Sequence, residues 1–433
     1  MRVLVTGAYG LIGSACLARL RAAGHEVIGA GRSIGAAQRR MPYAQWVVAD
    51  FAQLHDGAAW QPLLQNIDAV VNCVGVLQDS LRDHVERVQL TGTKALFDGC
   101  ARAGVKRVAH VSAIGAEAEG PSPFSRTKAA AEAYLATLPL DWVILRPALV
   151  LGSGVYGGTA MLRGIAAFPG FIPIVGGDAR IQVIGLDDVA ETVAHALASG
   201  APGRVVWDVA HPQVHALSGI VTAFRGWQGF PPRPVLRLPD AVGKIVAAFA
   251  DAAGWLGWRS PARSTSLAQL TACVVGDPAP WMAATGIAPR SLEQILAARP
   301  ASVQDRWFAR LYLLKPIAIV AFAAAAASVG GWEVIRSCKW AAALWGHAPL
   351  SVLAIQVLPE LVAGAVEFAI GIAMLVRRTA RPAIITLLAL TGLGIVSNAI
   401  AELTMMRYPI TFFAFGIPGL LALLFTLSIL DER

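Results

Sequence analysis

The residues best suited to chemistry open the chain, where the apolar run Val3 to Val5 breaks into Gly7-Ala-Tyr9-Gly10-Leu11-Ile12-Gly13. Three glycines spaced three apart behind a buried strand suit a pyrophosphate. Gly7 permits a sharp turn, Gly10 removes the side chain that would hold a phosphate off the backbone N–H groups, and Gly13 lets the next helix pack closely on the strand. Tyr9, Leu11 and Ile12 fill the loop and fall among the expected cofactor contacts. A strand-to-helix turn without ligand uses the same residues, and a glycine triplet alone is weak evidence. The amphipathic stretch Ser14 to Ala23 supplies the helix that a nucleotide site needs.

A second cluster follows the next apolar run, as Gly29-Ala-Gly31-Arg32-Ser33. An NAD site places a carboxylate here for the ribose hydroxyls, whereas an arginine offers a guanidinium to the 2′-phosphate of NADP. Gly31 followed by Arg32 therefore leans to NADP(H) over NAD(H), with a solvated loop arginine as the alternative. Asp50 stands where it can reach the adenine amino group, and Asn72-Cys-Val-Gly75 lets backbone pass close to a ribose. Both are also compatible with plain turn chemistry.

The elements that must position these residues are short apolar strands alternating with helical stretches. The strands are expected at Val3–Val5, Val27–Ala30, Trp46–Ala49, Ala69–Asn72, Arg107–Val111, Trp142–Leu145 and Val205–Val209. This alternation implies an α/β fold, a Rossmann-type doubly wound parallel sheet, with a small substrate lobe drawn mainly from residues 150–300. Pro231 to Pro234 reads as a stiff connector. Ala241 to Trp258, with Ile245, Val246, Phe249, Trp255 and Leu256 among small residues, is expected to form a core-facing helix, with a membrane-touching one as the alternative.

Several motifs in order carry a resemblance: the TGAxGxxG loop, Asn72-x-x-Gly75, Gly104 through Ser112, Arg146-Pro147 with Gly152, and Leu186-Asp-Asp188-Val-Ala190. Over most of residues 1–300 the chain resembles the extended and atypical short-chain dehydrogenase/reductases, and within them the branch similar to the nucleotide-binding accessory subunit of respiratory complex I. The resemblance implies a serine and a Tyr-x-x-x-Lys, in which the tyrosine exchanges a proton with substrate while the lysine holds the nicotinamide ribose. It assigns catalytic roles to Ser112 and Lys128, and adds Lys128 and Pro147 to the cofactor contacts. The tyrosine position is Phe124, which has no ionisable group. Gln89 stands where the family commonly has an asparagine that shapes the proton path. Cofactor-binding parts are thus present and acid–base parts altered. A solvated charge is the alternative for Lys128; Tyr156, in a glycine-rich loop, is a candidate substitute donor, and Tyr134 reads as a helix-face aromatic.

The chain has 433 residues, 56% of them hydrophobic and only 15% charged, which is too apolar for a wholly soluble protein. Two domains are expected, 1–300 and 301–433, the second with four transmembrane helices near Leu311–Val329, Val352–Val376, Ala383–Ala401 and Ile410–Leu430. The net charge of +8 lies beside apolar runs and not in a lysine-rich stripe, favouring a lipid bilayer over nucleic acid. Five cysteines show no metal-site spacing, so no metal is expected. Arg299, Arg306, Arg310 and Lys315 precede the first run; Arg377, Arg378 and Arg381 lie in the expected middle loop, and Arg336, Lys339 and Arg407 in the outer ones. The positive-inside rule then puts the soluble domain and both termini on the cytoplasmic side of the inner membrane. The apolar segment resembles DoxX-like four-helix domains. Glu360 and Glu367 share a helical face, with Gln356 a turn earlier, and read either as a proton or quinone contact or as polar glue.

The expected function is a membrane-anchored NAD(P)(H)-binding oxidoreductase acting on an apolar or quinone-like substrate, since a soluble metabolite calls for no anchoring spans. A quinone also tolerates the missing tyrosine. The alternative is a non-catalytic nucleotide-binding scaffold, assembly factor or redox sensor.

Overall fold

The computed structural model describes residues 1–79, 84–154, 156–271, 273–345, 351, 357–405 and 410–430. The chain divides into two compact units, Met1–Ala252 with Ser260–Ala309, and Ala253–Arg259 with Arg310–Arg433.

In the first unit, strands β1 (Arg2–Thr6), β2 (Glu26–Gly31), β3 (Gln45–Val48), β4 (Ala69–Asn72), β5 (Arg107–Val111) and β6 (Trp142–Pro147) alternate with helices α1 (Leu11–Ala22), α2 (Gly35–Arg40), α3 (Gly57–Leu64), α4 (Gly92–Ala103) and α5 (Pro123–Thr137). With the strand Val205–Val209 they form a seven-stranded sheet in the order Val205–Val209, β6, β5, β4, β1, β2, β3. All neighbours are parallel. Parallel strands are covered on both faces, which explains their unbroken apolar sequence. Within β1, Val3 and Val5 pack with Leu17 and Leu20 on one side, while Leu4 packs with Trp60 and Phe97 on the other.

The strand order reverses between β1 and β4, where a doubly wound sheet opens its crevice. A smaller three-stranded sheet and a two-stranded one, both built from residues 149–237, enclose a separate apolar cluster around Leu162, Val183, Ile220 and Phe224.

The helix Asp240–Trp255 corrects the expectation of a core-facing helix. Ile245, Val246, Phe249 and Trp255 are exposed, and the buried positions are the small ones, Gly243, Ala247, Ala250 and Gly254.

The second unit is helical: Val303–Leu344, which enters it at Arg310, then Leu358–Leu375, Arg377–Met405 and Ile410–Leu430. Among the described residues three helices are long and apolar enough to cross a membrane, Val303–Ala343, Leu358–Leu375 and Arg377–Val396. The whole helix Val303–Leu344 is 42 residues long, about twice what a hydrocarbon core requires. Two expected loops are therefore corrected. Arg336 and Lys339 lie within that long helix, and Arg377, Arg378 and Arg381 occupy the first turns of Arg377–Met405, because only Val376 separates it from the helix before. Glu360, in the first turn of its helix, is 3.2 Å from Arg336. Gln356 and Arg407 lie outside the described residues.

Candidate functional site: the crevice at the C-terminal ends of β1 and β4

Each glycine of the opening loop has a geometric reason. Gly7 holds a left-handed φ of +65°, and a Cβ there would stand 2.9 Å from the Cys73 carbonyl oxygen, so the turns after β1 and β4 close on each other. Gly10 is the N-cap of α1, donates its N–H to the Gly7 carbonyl at 2.9 Å, and offers no side-chain cap to the helix. The opening turn of α1 thus presents its backbone N–H groups without a side-chain cap from the N-cap residue. A Cβ on Gly13 would overlap the Gly7 carbonyl oxygen. Leu11 begins the helix and lies close to Gly154, whereas Ile12 packs against the core. Gly7 and Gly13 thus let the loop close tightly on neighbouring backbone, and Gly10 brings no side chain to the opening of the helix, an arrangement that fits a pyrophosphate.

Tyr9 leans over the end of β2, where any Cβ on Gly31 would overlap its ring. The ring takes the space into which a side chain at position 31 would project, and Arg32 beside it is exposed. Asp50, past the end of β3, accepts from Ala52 N–H at 3.0 Å with one carboxylate oxygen, the turn alternative seen in the sequence. Asn72 is fully buried: its Oδ1 accepts from Thr6 Oγ1 at 2.7 Å and Val74 N–H at 3.1 Å, and its amide lies 3.2 Å from His110 Nδ1. Its side chain holds the loop from beneath, leaving the backbone of 73–75 to line the crevice.

Lys128, Ser112 and Gly75 are gathered at one corner. Lys128 is buried on α5, not solvated, and Nζ donates to Val111 O at 2.8 Å and Val74 O at 3.2 Å. Burial pushes its pKa down to about 8, opposed by the negative field of Glu132 one helical turn on. A Cβ on Gly75 would lie 3.9 Å from that nitrogen. Ser112 follows β5, its N–H donating to Leu145 O at 2.7 Å, and its buried hydroxyl has no hydrogen-bond partner among the described residues. His110, buried one pleat before it, is kept neutral by burial and by Lys128. Pro147 ends β6, and its carbonyl accepts from Ile114 N–H at 3.2 Å.

Phe124 sits in the first turn of α5, behind the Ser122 cap, and brings no hydroxyl to this corner. Gln89 reaches across: its Oε1 accepts from Val76 N–H at 2.8 Å, and its Nε2 donates to Thr127 Oγ1 at 2.9 Å and toward Phe124 O at 3.4 Å. One glutamine thereby ties the loop after β4 to the start of α5. The Tyr134 hydroxyl donates to Asp98 at 2.6 Å, as a helix-face aromatic does. Tyr156 stands exposed at the N-cap of the helix Gly157–Ala166.

Two groups escaped the sequence reading. Glu132 is buried and accepts from Arg146 Nε at 3.1 Å; its signal in the sequence was its place four residues after Lys128, on one face of the same helix. The helix Ser264–Thr271 is the other. Gln78 donates to Ser266 at 2.8 Å, Arg263 to Asp79 O at 2.6 Å, and Gln269 to Ser122, so this helix is fastened to both the loop after β4 and the cap of α5. No local pattern in the sequence marks such long-range ties.

Residues 3–210 match the NAD dependent epimerase/dehydratase family. An uncharacterised protein of Mycobacterium tuberculosis is 29% identical over 199 residues, which are 46% of this chain and 20% of that protein. Subunit 9 of the NADH dehydrogenase [ubiquinone] 1 alpha subcomplex of Arabidopsis thaliana is 34% identical over 158 residues, covering 34% of this chain and 37% of that one. The chain thus spans well under half of each of these relatives. Among solved structures, UDP-glucuronic acid 4-epimerase from Bacillus cereus, in complex with UDP-glucuronic acid and NAD, shares the fold with a TM-score of 0.53 at 19% identity, over 72% of this chain and all of that one.

Proposed function

We propose that the first unit binds a nicotinamide dinucleotide, NADP(H) in preference to NAD(H), and that the chain is a membrane-anchored oxidoreductase of apolar, quinone-like substrates. The observation that carries this reading is the corner itself: a buried Lys128 and a Ser112 hydroxyl without a hydrogen-bond partner among the described residues, with phenylalanine at position 124 and a glycine loop at the end of β1. Gly7, Gly10 and Gly13 would hold the pyrophosphate, Arg32 the 2′-phosphate, and Lys128 a ribose hydroxyl. The bound dinucleotide supplies a hydride. Ser112 can donate one hydrogen bond to a substrate oxygen, but no residue at position 124 can give that oxygen a proton. A carbonyl substrate needs such a donor, whereas a quinone can take its proton from water.

The apolar helices of the second unit and the relative named as part of an NADH dehydrogenase [ubiquinone] support a membrane-dissolved acceptor. The positive-inside rule supports a cytoplasmic first unit in a bacterial inner membrane. The missing hydroxyl favours a second reading, a nucleotide-binding scaffold, assembly factor or redox sensor without turnover.

Stopped-flow oxidation of NADPH by the full chain against short-chain quinones and ketones, with reduction of NAD(P)⁺ by UDP-sugars as the opposite assay, separates these readings. Quinone-dependent oxidation is expected, with ketone reduction appearing only in Phe124→Tyr, because a positioned acid contributes roughly 10² to 10⁴ in rate. Fast ketone or UDP-sugar turnover by the unmodified protein overturns the role given to position 124. Tight NADPH binding with no acceptor active establishes the scaffold.

A further inference from the structure

The helix Asp240–Trp255 is inside out for a helix on a globular unit. Phe249 is 75% exposed, Trp255 68%, Ile245 57% and Val246 50%, while Gly243, Ala247 and Ala250 turn inward. The inner face is close-fitting, since a Cβ on Gly243 would lie 2.7 Å from a Val175 methyl. The helix is therefore seated by its small residues and presents its large apolar ones outward as a band. Water is a poor partner for such a band, which concentrates the apolar surface that a folded chain buries where it can.

What covers the band is indicated by where the helix ends. Ala253–Arg259 belongs to the unit of apolar helices. Trp258 Nε1 donates to Leu375 O at 2.6 Å, Arg377 N–H donates to Leu256 O at 2.9 Å, and the Arg377 guanidinium lies 5.3 Å from the centre of the Trp258 ring. The segment is thus tied to the one-residue break between Leu358–Leu375 and Arg377–Met405, at the ends of two helices apolar enough to cross a membrane. Arg378 and Arg381 stand exposed just beyond. Tryptophan beside a group of arginines at the end of an apolar helix is the composition of the headgroup level of a bilayer. Trp255 and Leu256, which continue the exposed apolar residues of the helix along the chain, belong to that segment.

We propose that Asp240–Trp255 is an in-plane membrane helix, its Ile245, Val246, Phe249 and Trp255 side chains seated in the lipid at the boundary between headgroups and acyl chains. Bulky apolar residues on one face, with Asp240, Lys244 and Asp251 available to the polar side, are the requirements for such seating. Asp251 is also bonded to Arg263 at 2.7 Å, and Arg263 introduces the helix Ser264–Thr271 that spans the loop after β4 and the cap of α5. The inference requires the apolar helices to lie in a bilayer but requires no catalysis.

The test uses the full chain in phosphatidylcholine/phosphatidylglycerol nanodiscs, with the exposed Cys273 and Cys338 changed to serine and one nitroxide attached at Phe249→Cys or, separately, Ile245→Cys. Leu393→Cys on an exposed position of an apolar helix and Tyr43→Cys on the first unit are the references. Collision of the nitroxide with oxygen relative to a water-soluble nickel chelate is expected to match that at position 393 and to exceed that at position 43 severalfold. Values equal to those at position 43 overturn the proposal while leaving the spans intact. Low collision with both agents overturns it as well, spin–spin broadening then identifying a second copy as the partner. A water-like signal at position 393 itself would bring down the spans and the in-plane helix together.

Discussion

Glycines bring backbones together in both units, with different results. In the first, Gly7 and Gly13 fold a turn and a helix start onto one another, and the closeness leaves a row of N–H groups facing an open crevice. In the second, Gly330, Gly364 and Gly371 set the long helix against Leu358–Leu375. A Cβ on Gly364 would lie 2.9 Å from Gly330 O, and one on Gly371 2.6 Å from Ala327 N. At these positions two helical backbones already bonded internally meet in van der Waals contact. A glycine before a helix start frees donors for a ligand; a glycine inside a helix removes space between neighbours.

The comparison is broken most severely by valine. Gly13→Val drives a branched side chain into the Gly7 carbonyl, and such overpacking costs about 1–3 kcal/mol or more. NADPH binding by calorimetry should be lost and the first unit should unfold at lower temperature. Gly364→Val should loosen the second unit by a similar amount, read as earlier thermal unfolding in detergent, with NADPH affinity within about twofold of the parent. Loss of nucleotide binding in Gly364→Val would show that the two uses of glycine are not independent.

A smaller effect separates the corner at Lys128 from the glycine cradle. Burial holds this lysine at about 8, whereas an unfolded lysine titrates near pH 10.4. Between those values the unfolded chain carries the extra proton, so the contribution of this group to stability rises as pH climbs from about 8 to about 10. Lys128→Met should remove that rise in denaturant titrations of the first unit. Identical slopes in parent and variant would place the lysine in water. The smallest change is expected at the cradle's rim, where Arg32→Ala should cost about 1–3 kcal/mol for NADPH and little for NADH, measured by calorimetry. Equal loss for both nucleotides would remove Arg32 from the 2′-phosphate.

The parallel sheet was legible because its strands are covered on both faces and read as short apolar runs between breakers. Ala69–Asn72, Arg107–Val111 and Val205–Val209 end where their sequences suggest. Strand β6 runs on through Arg146 and Pro147 because the arginine is neutralised by Glu132 from α5, a partner 14 residues away. The orientation of Asp240–Trp255 was not legible. Helical periodicity identifies a stripe of large apolar residues but not what the stripe faces, and the stripe of small residues opposite it is just as regular. In the apolar segment, charges beside hydrophobic runs read as loops. Arginine and lysine are nonetheless good helix formers, and Arg336 finds Glu360 on the neighbouring helix. At the site, the glycine cradle was visible as a local pattern, whereas the burial of Lys128 and the reach of Gln89 depend on contacts 13 to 54 residues apart.

Thr6, Asn72 and His110 face one another across three adjacent strands as direct partners of the ladder. Their side chains join in a line buried inside an otherwise apolar sheet. Sliding β4 by one residue so that Val71 takes the place of Asn72 would put valine opposite Thr6 and His110 and strand the amide, at about 1–3 kcal/mol for each buried group left unpaired. The line therefore works as a pawl, allowing the three strands a single alignment. Since Gly7 follows Thr6, Cys73 follows Asn72 and Ser112 stands two residues past His110, that alignment sets the phosphate cradle and the hydroxyl corner to a common level before any ligand arrives.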